Sequence, residues 1–172
     1  MAVRTVLTYP NPRLKVTARS VPVVDDDIRG LIADLFDTMY SQGGIGLAST
    51  QIGDDRRVVV MDCRDAEAEH APWALVNPEI VEREGEVVWS EGCLSLPGVT
   101  AEVDRAARIV VSYLDAAGDP QHLEADGLLA VCVQHELDHL EGTLYVDRLG
   151  ALERESVLIE YVAKQQESGD SS

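Results

Sequence analysis

Cysteine is scarce in this 172-residue chain: there are three, at positions 63, 93 and 132. They are too few and too scattered for a disulfide framework, so a cytoplasmic chain with reduced thiols is the expected setting. Long hydrophobic runs are missing as well. The longest apolar stretches are short, as in Gly127–Val133, well under the ~18 residues a membrane span needs. Met1–Pro10 holds no apolar block followed by a small-residue cleavage site, so no secretory signal is expected. Positive charge is in short supply: 14 Lys and Arg stand against 31 Asp and Glu, a formal net charge of -17. A field of that sign repels phosphate backbones and anionic lipid, which argues against general nucleic-acid or membrane binding. It reads as a heavily solvated acidic surface, of a kind suited to high salt. The deficit is uneven: Met1–Val24 carries Arg4, Arg13, Lys15 and Arg19 and no acid, and Asp25–Asp27 opens a far more acidic remainder. Internal repeats, low-complexity segments and domain linkers are absent too. A single domain over residues 1–165 and a flexible acidic tail over 166–172 are therefore expected.

What the chain does have is an ordinary globular composition, 45% hydrophobic and 26% charged, enough to bury a core. Tyr9–Pro12 is turn chemistry. Apolar residues at Ile28, Leu31, Ile32, Leu35, Phe36 and Met39 recur at the spacing of one buried helix face. Gly43, Gly44 and Gly46 stop that helix and predict a flexible loop that lets another chain approach closely. Arg57–Asp62, Trp73–Asn77 and Glu79–Trp89 read as strands, the last turning near Glu84–Gly85. Arg108–Asp115 and Gln121–Ala125 flank a turn-rich Ala116–Pro120 and predict a hairpin. Leu128–Leu140 reads as a helix with Asp126 as N-cap and Gly142 just past its end, and Leu152–Gln165 as a last helix. Strands outnumber helices without alternating regularly with them, which points to an α+β fold rather than a doubly wound sheet.

The chemistry concentrates on one predicted helix. His135-Glu136-Leu137-Asp138-His139 is an H-E-x-x-H segment. Residues four apart lie one turn apart on the same face, so both imidazoles can reach one metal ion, and Glu136 borders the site where it can hold a water made acidic by that metal. A pair of surface histidines on an acidic helix is the bland alternative. It is weakened because Leu128, Val131 and Cys132 extend the same face. A catalytic site of this type needs a third protein ligand and an open position. A metzincin protease would place a third His where Tyr145 stands, and a thermolysin-like protease leaves Glu160 open. Cys132 shares the helix with the histidines and is poorly placed to complete a tetrahedron. His70 and His122 have no supporting context, and Cys63, after a strand run, reads as a small buried hydrophobe. Cys93, in Glu91-Gly92-Cys93-Leu94-Ser95, sits just past a strand with Pro97-Gly98 predicted as a turn after it. As a thiolate it can complete a Cys/His/His site at ~2.3 Å for sulfur and ~2.0–2.1 Å for nitrogen. A nucleophilic role with a histidine base ranks lower, because H-E-x-x-H already supplies an activated water.

Three motifs in order resemble those of the peptide deformylases: Gly44-Ile45-Gly46-Leu47-Ala48-Ser49-Thr50-Gln51, Glu91-Gly92-Cys93-Leu94-Ser95 and His135-Glu136-Leu137-Asp138-His139. The similarity runs from Tyr9-Pro10-Asn11-Pro12-Arg13-Leu14 to Leu144-Tyr145-Val146-Asp147. The resemblance implies antiparallel sheets packed around a central H-E-x-x-H helix, with an N-terminal and a C-terminal helix. It implies a metal-dependent hydrolase that removes the N-formyl group from the initiator formyl-methionine of nascent polypeptides, with formyl-methionyl peptides as partners. The metal ligands are then Cys93, His135 and His139, and Glu136 is the general base. The Gln51 side-chain amide and the Leu94 backbone N–H are the oxyanion donors. The implied ion is Fe(II), with zinc, nickel or cobalt able to replace it. Ile45, Gly46, Trp89, Leu128, Val131 and Cys132 are placed around the methionine side chain, where Trp89 is large and narrows the pocket. Arg105 and Glu91 are expected as a buried ion pair supporting the Cys93 loop. In some relatives a basic C-terminal helix docks near the ribosome exit. From Leu149 onward this chain instead has Glu153, Glu155, Glu160, Glu167 and Asp170 against Arg154 and Lys164, so the basic Met1–Val24 is the alternative contact. A retained fold that binds such peptides without catalysis is the competing reading, opposed by the complete set Gln51, Cys93, His135, Glu136 and His139.

Overall fold

The computed structural model describes residues 2–63 and 72–170. His70 lies outside them. Helix α1 (Asp26–Ser41) begins where the Asp25 carboxylate accepts the Ile28 N–H at 3.0 Å, with Asp26 and Asp27 favourably placed in its first turn. Strands β1 (Gly46–Ala48), β2 (Val58–Met61), β3 (Trp73–Glu84), β6 (Arg108–Leu114) and β7 (Pro120–Asp126) form one antiparallel sheet in the order β1-β2-β3-β6-β7. Strands β4 (Val87–Cys93) and β5 (Leu96–Arg105) make a separate hairpin. Helix α2 (Gly127–Leu140) and helix α3 (Ala151–Asp170) complete the α+β fold.

Strand alternation divides the core between the two faces of the large sheet. Val58, Val60 and Val76 pack on α1 with Ile28, Leu31, Leu35 and Met39. Val59, Met61, Leu75 and Ile109 pack on α2 with Ala130, Val133, Leu137 and Leu140. A third cluster joins the hairpin to the C-terminus through Leu96, Val99, Val103, Tyr145, Val157 and Tyr161. Helix α2 is therefore central, and every residue from Ala130 to Leu140 is buried. Its Gln134, His135, Glu136, Asp138 and His139 are polar, and burial at those positions costs free energy unless each finds a partner or a ligand.

Several local expectations are corrected. The glycine loop is irregular only up to Ile45, since Gly46–Ala48 pairs with β2 as β1. Strand β3 does not end at Asn77: a register shift between Val76 and Glu79 absorbs Pro78, and Asn77 takes a positive φ of 51° while its side chain bonds the Val21 backbone. The turn after Cys93 is Leu94–Ser95, and Pro97–Gly98 belongs to β5, which the sequence reading passed over. The register of β5 with β4 breaks between Glu91 and Cys93. Carbonyls beyond the break bond side chains from the C-terminal region: Gln165 to Pro97 at 3.4 Å, Lys164 to Gly98 at 2.6 Å and Tyr145 to Val99 at 3.3 Å. Helix α3 extends past the expected Gln165 to Asp170. Asp126 is the N-cap residue of α2 without a side-chain cap bond. Gly142 is the left-handed residue after that helix, at φ 72°. A Cβ there would run into the Lys15 carbonyl, so Gly142→Ala should destabilise the chain by about 1–2 kcal/mol from backbone conformation alone, with the clash adding to it. A drop in the denaturant midpoint at unchanged slope checks this.

Candidate metal centre

One turn of α2 separates His135 from His139, and their Nε2 atoms stand 3.3 Å apart. Cys93 is brought to them by the β4–β5 hairpin, with Sγ 3.3 Å from His139 Nε2. Two imidazoles bonded at ~2.0–2.1 Å to one tetrahedral ion stand about 3.4 Å apart, so the separations fit a shared cation. Among the described residues these three form the only group of His, Cys, Asp or Glu side chains close enough to hold a metal. The alternative ligands are not brought in. Glu160 pairs with Lys164 on α3 at 2.9 Å, His122 is exposed on β7, and Tyr145 stacks on the His135 ring while its hydroxyl donates to Val99.

The outer face of the site is a chain of ion pairs. His135 Nδ1 lies 2.8 Å from Glu91 Oε1, which turns Nε2 towards the centre as an acceptor, the arrangement that usually accompanies a ligating histidine. Arg105 forks onto Glu91 at 2.7 and 2.8 Å, and reaches Asp138 at 2.6 Å. Asp138 in turn accepts two bonds from Arg148, at 3.1 and 2.6 Å. Burial opposes the Glu91 charge, but Arg105 and then His135 outweigh it and hold this carboxyl below its ordinary range. Burial likewise works against a charged His135, yet Cys93 and Glu91 together push its pKa well up. His139 goes the other way, driven down by burial and then by its charged neighbour.

Glu136 faces the same space with its Oε2 buried and without a hydrogen-bond partner among the described residues. Burial pushes its carboxyl up to about 7, the range useful to a base at neutral pH. Gly46 is what lets β1 pass: a Cβ there would sit 2.6 Å from Glu136 Oε1 and 2.9 Å from Cys132 Sγ. Gln51 is fixed through its Oε1, which accepts the Ala48 N–H at 3.0 Å. That leaves Nε2 to reach Ser95 Oγ at 3.0 Å and Cys93 Sγ at 3.6 Å. Leu94 follows Cys93 in the hairpin turn.

A cavity of about 660 Å³ opens onto these groups. Leu128, Val131 and Cys132 of α2 line it, together with Ile45, Gly46 and Trp89. A more polar cavity of about 630 Å³ lies beside Arg105, Asp138 and Arg148 and includes none of the three candidate ligands. The sequence reading gave no role to Asp138, Arg148, Ser95 or Thr50, whose Oγ1 donates to the His139 carbonyl at 3.1 Å. Asp138 carried a usable signal, since an acid between two clustered histidines on an inward face requires a cation. The other three depend on folding for their neighbours.

The polypeptide deformylase family model matches residues 3–155. The chain is 52% identical over 157 residues to a peptide deformylase of Alkalilimnicola ehrlichii, covering 91% of this chain and 88% of that protein. It is 49% identical over 160 residues to one of Xylella fastidiosa, covering 91% and 93%. The crystal structure of peptide deformylase from Ehrlichia chaffeensis superposes with a TM-score of 0.91 at 35% identity, covering 97% of this chain and 99% of that one.

Proposed function

This chain belongs to the polypeptide deformylase family, and on that premise we propose that it removes the N-formyl group from the initiator formyl-methionine of nascent polypeptides, releasing formate. The convergence of Cys93, His135 and His139 beside the buried Glu136, at the head of an apolar cavity, carries this reading. Residues 1–165 serve as a single catalytic domain. Cys93, His135 and His139 hold one divalent cation, Fe(II) by the family resemblance, although a thiolate and two imidazoles suit zinc, nickel or cobalt as well. Its Lewis acidity would lower the pKa of a water and polarise a carbonyl. Glu136 accepts the proton of the attacking water and returns it to the departing amine. Gln51 Nε2 and the Leu94 N–H donate to the formyl oxygen as negative charge grows there, each typically worth ~2.7–4 kcal/mol. Ile45, Trp89, Leu128, Val131 and Cys132 take the methionine side chain, and the β1 backbone at Ile45–Gly46 lies along the peptide in the manner of an added strand.

The proposed setting is cytoplasmic, and no described helix is long and apolar enough to cross a membrane. Charge gives little support to docking at the ribosome exit. Helix α3 is acidic, and of the basic residues near the N-terminus Arg4 is paired with Asp34 and Arg19 with Asp55.

The test is metal analysis of Cys93→Ser beside an assay for formate release from a formyl-methionyl peptide. The wild type should carry one ion and release formate, and the variant should lose both. Retention of the ion by Cys93→Ser would overturn the ligand set.

A further inference from the structure

Two of the three cysteines lie outside the ligand set, and the fold brings them together. On β2, Val59 and Met61 point to the α2 side of the sheet, and Cys63, two residues further on, packs against the same cluster. Cys132 enters that cluster from α2. The Ile45 carbonyl ties the two together: it accepts the Asp62 N–H at 2.8 Å, and Cys132 Sγ lies 3.7 Å from it. The residue before Cys63 and the Cys132 side chain therefore meet on one oxygen. The nearby Cys63 thiol, followed by burial, raises the Cys132 thiol well above its ordinary range. Their access differs, since Cys132 is 5% exposed whereas Cys63 is half-buried.

We propose that Cys63 and Cys132 form a dithiol modification site, reached through Cys63 by small two-electron thiol oxidants such as peroxide, that closes to a disulfide against the wall of the methionine cavity. The chemistry balances in two steps. Peroxide converts the Cys63 thiol to a sulfenic acid and releases one water. The Cys132 sulfur then attacks the Cys63 sulfur, the S–S bond forms as the S–O bond breaks, and the hydroxyl leaves with the Cys132 proton as a second water. Closure to an S–S bond of ~2.05 Å draws the Cys132 sulfur towards β2 and away from the Ile45 carbonyl. That wall has no slack, because the space beside Gly46 is already filled by Cys132 and Glu136. The disulfide therefore reshapes the methionine cavity and raises KM more than it lowers kcat. Only this effect on activity rests on the deformylase reading; the disulfide does not.

The experiment treats the metal-loaded protein with peroxide, alkylates the remaining thiols and maps peptides by mass spectrometry. The expected result is a cross-linked pair containing Cys63 and Cys132, about 2 Da lighter than the two free peptides, with Cys93 unmodified. Formyl-methionyl peptide turnover should show a raised KM that dithiothreitol reverses, and Cys63→Ser should show neither the cross-link nor the KM change. Cys63 and Cys132 both recovered as alkylated thiols after treatment would overturn the dithiol site. Equal loss of activity in Cys63→Ser would overturn the effect on the cavity and trace the loss to another group. A cross-link in a protein that never turned over formylated peptide would leave the site standing and remove the functional reading instead.

Discussion

Replacing Glu136 with Gln is expected to lower kcat by ~10²–10⁴-fold while one metal ion stays bound. The amide keeps the shape of the side chain, so the contact with the Gly46 backbone survives, and it ligates nothing in the Cys93, His135 and His139 set. What disappears is a proton acceptor whose Oε2 is buried without a hydrogen-bond partner among the described residues. A pH profile adds a second reading. Burial, set against the charge of His135, leaves the Glu136 carboxyl at about 7, and a cation on the neighbouring ligands favours its charged form and draws it lower. The acid limb of kcat/KM should therefore fall below that value in the wild type and vanish with the residual rate of Glu136→Gln. Metal content measured beside kcat separates loss of the base from loss of the site. Wild-type turnover in the variant would remove Glu136 from the mechanism.

Arg105→Met is expected to destabilise the fold by about 3–5 kcal/mol and to weaken metal retention by ~10–100-fold. Arg105 is 6% exposed and answers two buried carboxylates, Glu91 and Asp138. Methionine fills much of its volume and leaves both acids short of a partner, and a stranded buried charge costs more than an intact pair gives. The loss reaches the metal because Glu91 holds His135 by its Nδ1. The pH dependence follows from the same pair. Arg105 helps keep the folded Glu91 pKa below its ordinary 4.5, so the pair contributes stability that is present above that pH and lost as pH falls through the lower folded value. In Arg105→Met the melting temperature should change less across the acid range. Arg148→Ala removes only the solvent-facing partner of Asp138, whose side chain is 51% exposed, and should cost about 0–1 kcal/mol. Chemical denaturation and chelator competition measure the two halves of this prediction.

Helical spacing alone carried α2. His135 and His139 four residues apart, with Leu128, Val131 and Cys132 continuing their face, describe a helix with one chemical side, and that geometry is local. The third ligand is not local. Cys93 ends β4, Cys132 lies on α2 and Glu160 on α3, and sequence context favours Cys93 while leaving Glu160 open. The structure then supplies the distances. The strand boundaries that differ from the sequence expectation share one cause: proline and glycine ordinarily interrupt a ladder. Pro78 sits in a bulge of β3, and Pro97–Gly98 lies where the β5 register with β4 has broken, so neither costs a ladder bond that the fold would otherwise keep. The ion-pair chain from Arg148 to His135 was legible only at its centre, as the expected Arg105–Glu91 pair. Asp138 and Arg148 join it through tertiary packing.

The three carbonyls of β5 held by Tyr145, Lys164 and Gln165 have a consequence for where the working protein ends. Pro97, Gly98 and Val99 line the cavity, yet two of their three donors come after residue 155, where the match to the family model stops. A truncation there would keep every signature motif and sever two of the guy-ropes on that cavity wall. In this chain, the length that identifies the family and the length that braces this cavity wall are different lengths.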